Sequence, residues 1–211
     1  MDKTIVAPYV DRPIAESDFE NQIWGDCRPV AIEHYWSGES APSSRHAEAR
    51  ICWSEEALHV CFVCNQQEPL IVWSSPVTDN KTLGLWDRDV CEIFLAPHGN
   101  ESNIYFEFEA APTGEWIDLG IRITPDGRET EWDYASGMTT ESRVETEILT
   151  LSIFVPWSER LSRPSIGDEW RVNLFRCVGP DELTRYLAWR PTRTPEPNFH
   201  VPEAFGRLHF A

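Results

Sequence analysis

Leu85-Trp86-Asp87-Arg88-Asp89-Val90-Cys91-Glu92-Ile93-Phe94-Leu95-Ala96-Pro97 puts an aromatic residue, three acids and a strand within thirteen positions. Side chains alternate along an extended chain. Asp89, Cys91, Ile93 and Leu95 therefore share one face, and Val90, Glu92 and Phe94 share the other. Glu92 thus stands mid-strand between two apolar neighbours on its own face. Pro97 with His98-Gly99-Asn100 predicts the turn that ends the strand. The next run, Tyr105-Phe106-Glu107-Phe108-Glu109-Ala110, repeats the device, with Glu107 and Glu109 on one face and Phe106 and Phe108 on the other. Two neighbouring strands with acids on one face suggest a lined groove. The same pattern also suits the solvated outer face of an antiparallel sheet, the commoner fate of a strand carboxylate.

Outward from this centre the chain reads as short strands separated by turns. Ala49–Trp53 and Leu58–Cys64 make a hairpin around Ser54-Glu55-Glu56-Ala57. Residues 65–85 form a long connection expected to flank the groove. Further strands are expected at Trp116–Ile123, Glu129–Tyr134, Arg143–Glu147, Ile148–Val155, Trp170–Arg176, Arg185–Trp189 and Gly206–Phe210. Ser158–Leu161 offers at most one helical turn, and Asp18 to Trp24 a short irregular or helical segment. With no long amphipathic helix, no repeat and no linker, residues 1–211 predict one all-β domain: an antiparallel β-sandwich, jelly-roll-like, with long loops.

The charge narrows the partners. Against 18 Lys and Arg stand 35 Asp and Glu, a formal charge of -17, which repels phosphate backbones and anionic lipid surfaces. Nucleic acid and membrane are therefore not expected partners. The 10 Trp, 10 Phe and 5 Tyr exceed what a core alone requires, and exposed rings are a common means of covering the flat apolar face of a ligand. Met1 to Pro8 lacks the pattern of a secretory signal, and no run reaches the length of a membrane span, so the sequence reads as soluble with its compartment open. The six cysteines are scattered through a chain large enough to fold without staples and read as thiols. Cys61 and Cys64 mimic a C-x-x-C motif, but on a strand positions three apart face opposite ways, so the two sulfurs cannot share a metal or close a disulfide.

Seven pieces, in order and spacing, resemble the family 9 carbohydrate-binding modules and their DOMON-like sandwich relatives. They are Ala57-Leu58-His59-Val60, Leu85 through Leu95, Tyr105 through Glu109, Val155-Pro156-Trp157, Trp170-Arg171-Val172-Asn173, Trp189-Arg190-Pro191-Thr192 and Phe199 through Gly206. The resemblance spans essentially the whole chain as a stand-alone variant. It implies a non-catalytic sandwich, linked to polysaccharide breakdown, that holds a mono- or oligosaccharide between two aromatic rings and grips its hydroxyls with polar groups. Trp86 matches the first clamp aromatic and Glu92 the carboxylate that binds sugar hydroxyls. Phe199 stands where the family has its second Trp, keeping a stacking face while losing an N–H donor. Glu109 stands where the family has an arginine, Phe175 where it has a glutamine, and Glu196 where it has an asparagine. The resemblance also implies structural calcium, although the chain shows no dense Asp/Asn loop and no other cofactor motif.

Two other readings stay open on the residues. Glu92 with Glu107 or Glu109 could form the carboxyl pair of a glycoside hydrolase. A DOMON-like domain for a non-sugar ligand such as haem would need axial Met or His, and the methionines are Met1 and Met138. His98 and His200 have no ligand-spaced companions, so neither reads as a metal ligand. Trp24, Trp157 and Trp170 read as core.

Overall fold

A computed structural model describes residues 4–12, 14–97 and 103–211. The turn expected at His98-Gly99-Asn100 lies outside the described residues, as does Met1. Two sheets carry the fold. The first contains β1 (Thr4–Ala7), β3 (His34–Tyr35), β6 (Val90–Ala96), β7 (Ile104–Ala110), β8 (Trp116–Thr124), β9 (Gly127–Glu131), β12 (Glu169–Cys177), β13 (Tyr186–Ala188) and β14 (Gly206–Phe210). Its main path runs β1-β14-β12-β6-β7-β8-β9, with β13 joined to β12 and β3 to β13. The second sheet runs β10-β11-β5-β4-β2, from β2 (Val30–Ile32), β4 (Ala47–Trp53), β5 (Ala57–Asn65), β10 (Thr139–Val144) and β11 (Ile148–Pro156). A single turn of helix, α1 (Ile23–Asp26), buries Trp24.

The strand alternation decides the core. Cys91, Ile93 and Leu95 of β6, with Phe106 and Phe108 of β7, face the second sheet and pack in one cluster with Val60, Phe62, Leu151 and Ile153. Each such large side chain removed from water contributes roughly 1.5–3 kcal/mol. The opposite face of β6, β7, β8 and β12 is also covered, because the long loops fold over it. Phe94, Tyr105, Ile117, Leu119 and Phe175 form a second apolar cluster there with Leu85, Phe199 and Phe205 from the loops. Glu92, Glu107 and Glu109 belong to this covered face and are 2 %, 3 % and 1 % exposed. They are not the solvated carboxylates of an open sheet face.

The hairpin of β4 and β5 forms as expected, with Trp53 opposite Leu58. Cys61 faces a small outer cluster and Cys64 the main core, and all six cysteines are free. Trp24 and Trp170 are buried, and Trp157 packs against the core edge-on to Trp170. Several strand boundaries differ from the sequence reading. β9 begins at Gly127 and ends at Glu131, leaving Trp132 to Tyr134 in a turn; β10 ends at Val144, because Glu145 closes the turn to Ile148 by a backbone bond of 2.8 Å. β13 keeps only Tyr186–Ala188, and Ser158–Leu161 makes no helical turn. β1, β2 and β3 have no counterpart in the reading of residues 1–45. β1 pairs parallel with β14 through a register that joins distant parts of the chain.

Candidate functional site

The covered face opens at one place into a cleft of about 300 Å³. Its floor follows from register. Phe175, Glu92, Glu109 and Ile117 lie side by side across β12, β6, β7 and β8. One step along, Phe94, Glu107 and Leu119 form the next row. Glu92 and Glu109 are thus direct cross-strand neighbours, and Glu107 is two residues from Glu109 on the same face. Oxygens of the three carboxyl groups lie within 4.8 Å of one another.

Trp86 reaches the cleft from a 3₁₀ turn, Leu85–Asp87, entered through Gly84 at φ 77° and anchored by the fully buried Leu85. Arg185 holds that turn from behind, its two terminal nitrogens donating to the carbonyls of Asp87 at 3.2 Å and Arg88 at 2.7 Å. Asp89 ties two loops to the strand, accepting from the amides of Ile71 at 3.2 Å and Gly179 at 3.0 Å. Burial pushes its carboxyl upward, and those amides pull it back. Half-buried Trp86 is therefore a ring on a rigid mount, with one side on the second cluster and one on the cleft.

Phe199 lines the same cleft from the loop before the last strand. Its ring stacks on Phe175, with centroids 3.9 Å apart and planes 15° from parallel, and Tyr186 meets it edge-on. Phe175 itself is fully buried and does not line the cleft. Glu196 is exposed and also lies outside it; Pro197 and Asn198 line it instead. Of the six residues singled out from the sequence, Trp86, Glu92, Glu109 and Phe199 line the cleft, Phe175 backs it, and Glu196 stands apart.

The sequence reading missed Tyr186, His200, Cys177 and the rim residues Arg128, Thr130 and Trp132. Alternation could have found some of them: Cys177 is two residues from Phe175, and Arg128, Thr130 and Trp132 are spaced by twos. His200 carried no sequence signal. Its Nδ1 lies 2.8 Å from the Tyr105 hydroxyl and 3.8 Å from Glu107. Burial, assisted by Arg128, lowers its pKa to about 3, so the contact with Glu107 is between a neutral ring and a carboxyl, not an ion pair.

The carboxyl groups are all held toward their neutral forms. Burial, then Glu107, raises Glu92 to about 8, against a weak opposing bond from the Cys177 thiol at 3.3 Å. Burial raises Glu107 and, with its two acidic neighbours, lifts Glu109 far above the usual range. Both oxygens of Glu109 and one of Glu107 meet no donor beyond a proton shared between the two carboxyl groups. A glycosidase needs two carboxyls pushed apart, one protonated and one ionised. Here all three move in the same direction.

The three carboxyl groups do not by themselves fit the calcium implied by the resemblance. Calcium takes six to eight oxygens, and the grouping among the described residues able to share an ion is these three side chains in an open cleft. A second oxygen cluster is filled from within: Lys81 Nζ lies 2.6 Å from Asp118 Oδ1 and 2.7 Å from the Asp118 carbonyl, and it also donates to the Tyr134 carbonyl. The Lys81 ammonium supplies the positive charge to that cluster.

Comparison with solved structures places the same fold in three relatives. A candidate carbohydrate-binding protein from Bacteroides uniformis aligns over 100% of both chains at 18% identity and a TM-score of 0.78. A family 9 carbohydrate-binding module from Caldicellulosiruptor kristjanssonii in complex with glucose aligns over 99% of this chain and 95% of its own, at 16% identity and a TM-score of 0.64. One from the same organism in complex with cellotriose aligns over 98% and 93%, at 16% identity and a TM-score of 0.65. A search of curated protein sequences returned no match. The family model described as carbohydrate-binding family 9 matches residues 31–210, a span holding every strand but β1 and the first residue of β2, and every wall of the cleft, and by that match the chain belongs to carbohydrate-binding family 9.

Proposed function

We propose that the cleft is the saccharide site of this non-catalytic carbohydrate-binding protein. One sugar ring would lie against Trp86 and Phe199, and Glu92 would accept hydrogen bonds from its hydroxyls. The observation that carries the reading is convergence: two rings from loops more than a hundred residues apart border one cleft of about 300 Å³ whose floor is buried carboxyl groups. A pyranose has an apolar C–H face that a ring can cover, while its hydroxyls need partners for the water they lose. This cleft supplies both.

The module from C. kristjanssonii, which shares the fold, was solved with glucose and with cellotriose, and this supports a mono- or oligosaccharide as the ligand class. Calorimetric titration with glucose, xylose, cellobiose, xylobiose and amino sugars tests the reading. Saturable binding with one site per chain is the expected result. Binding of none of them would overturn it.

A further inference from the structure

The inner end of the cleft crowds carboxyl oxygens together, and without a ligand these groups keep protons in place of a cation. Glu92, Glu107 and Glu109 converge there with oxygens within 4.8 Å of one another. Each is more than nine-tenths buried, and Glu109 meets no donor beyond a proton shared with Glu107. The nearby cations do not supply the missing donors. Arg185 directs its terminal nitrogens at two backbone carbonyls, and Arg128 is exposed at the rim. His200 is neutral and engaged with Tyr105, and the Cys177 thiol is a weak donor directed at Glu92.

A ligand that fits must therefore bring several donors to one point. A hydroxyl brings one donor and no charge, so it leaves the carboxyl groups with the protons they already hold. An ammonium brings three N–H donors, one for each carboxyl group, and a positive charge that takes the place of those protons. The volume and the rings exclude a bare cation as the best fit, since a cleft of about 300 Å³ bordered by Trp86, Tyr186 and Phe199 has room and apolar wall for a whole sugar ring.

We infer that the ligand is an amino sugar with a free ammonium group, the ammonium seated among Glu92, Glu107 and Glu109 and the ring against Trp86 and Phe199. This inference rests on the saccharide reading above and narrows it to a cationic class. Deacetylated amino-sugar polymers and their fragments present that chemistry, and their N-acetylated forms do not.

The test compares each amino sugar with its neutral parent on the wild-type protein at neutral pH, where the amine still carries a proton and the carboxyl groups release theirs more readily than in acid. Glucosamine, galactosamine and 6-amino-6-deoxyglucose are titrated beside glucose, galactose and N-acetylglucosamine, with calcium chloride as a further titrant. The expected result is that at least one amino sugar binds about tenfold more tightly than its parent, the difference between charge-assisted and neutral hydrogen bonds. Glu109→Gln, nearly the same shape, should bring that amino sugar down to the level of its parent. If a neutral parent binds as tightly as its amine in every pair, the ammonium inference fails and the saccharide reading stands. If no saccharide of either kind binds, both fail. If calcium binds and no amino sugar is preferred, the three carboxyl groups are a metal site and the inference is overturned.

Discussion

Phe199 lies flat on Phe175, ring centroids 3.9 Å apart and planes 15° from parallel, so the cleft aromatic is set by a buried residue that does not line the cleft. An offset-stacked aromatic pair contributes about 0.5–1.5 kcal/mol beyond its buried area. Phe175→Leu should keep most of the volume while removing the flat backing. The expected outcome is a severalfold loss of saccharide affinity and a stability loss of about 1 kcal/mol. Calorimetry and urea unfolding on the one variant measure both.

The buried carboxyl groups make the unliganded protein sensitive to mild alkali. Glu92 titrates near about 8 when folded, against an ordinary 4.5. Between those values the folded chain keeps a proton that the unfolded chain has released, so stability is full below 4.5 and is lost as pH rises through about 8. His59 and His200, lowered by burial from 6.5 to about 4 and about 3, act in the other sense. Their stabilisation is full above 6.5 and is lost as pH falls toward 3. From 6.5 to 8 only the carboxyl slope of these groups remains, about 1.4 kcal/mol per pH unit for each carboxyl that ionises. Denaturant unfolding across that window should show falling stability in the wild type, and Glu92→Gln should flatten the fall.

Lys81 and Asp118 form an ion pair at 2.6 Å, and Asp118, with no exposed surface, also accepts the Ser136 amide and hydroxyl at 2.6 Å each. Lys81→Met leaves that carboxylate buried without its cation, which costs about 3–5 kcal/mol in comparable settings. Urea unfolding should show a loss of this size. Asp118→Asn in the Lys81→Met background should recover part of it, because the residual charge is gone.

The central sheet was legible because its residues state their faces. Glu92 lies between Val90 and Phe94 on one face, Glu107 and Glu109 interleave with Phe106 and Phe108, and the structure follows that alternation. What alternation cannot convey is a cover. The second cluster forms because distant loops fold over the outer face, and this is why three acids that pattern as a solvated face are buried. Nothing local to Val30–Ile32 or His34–Tyr35 announces a strand; their pairing partners, β4 and β13, are supplied by the tertiary fold. Glu196 stands at the family's asparagine position in sequence order, but the loop from Arg190 to His200 turns through Arg193 at φ 57° and brings Asn198 to the cleft.

Cys61 and Cys64 lie on opposite faces of β5, one in the outer cluster and one in the main core. Thiol counting under denaturing conditions should find six free thiols. A peptide carrying this pair in disulfide form would contradict the register of β5.

Trp86 is a half-buried ring on a turn held by Arg185 and Leu85 at the mouth of the cleft. The deciding measurement is the affinity of Trp86→Ala for a saccharide that the wild type binds, made beside its thermal unfolding. A central aromatic anchor contributes about 2 kcal/mol or more, so binding should weaken by about thirtyfold or beyond while the fold remains intact. Undiminished binding by a folded Trp86→Ala would place the saccharide elsewhere, and a variant that fails to fold would make Trp86 a lid on the core and not a wall of the site.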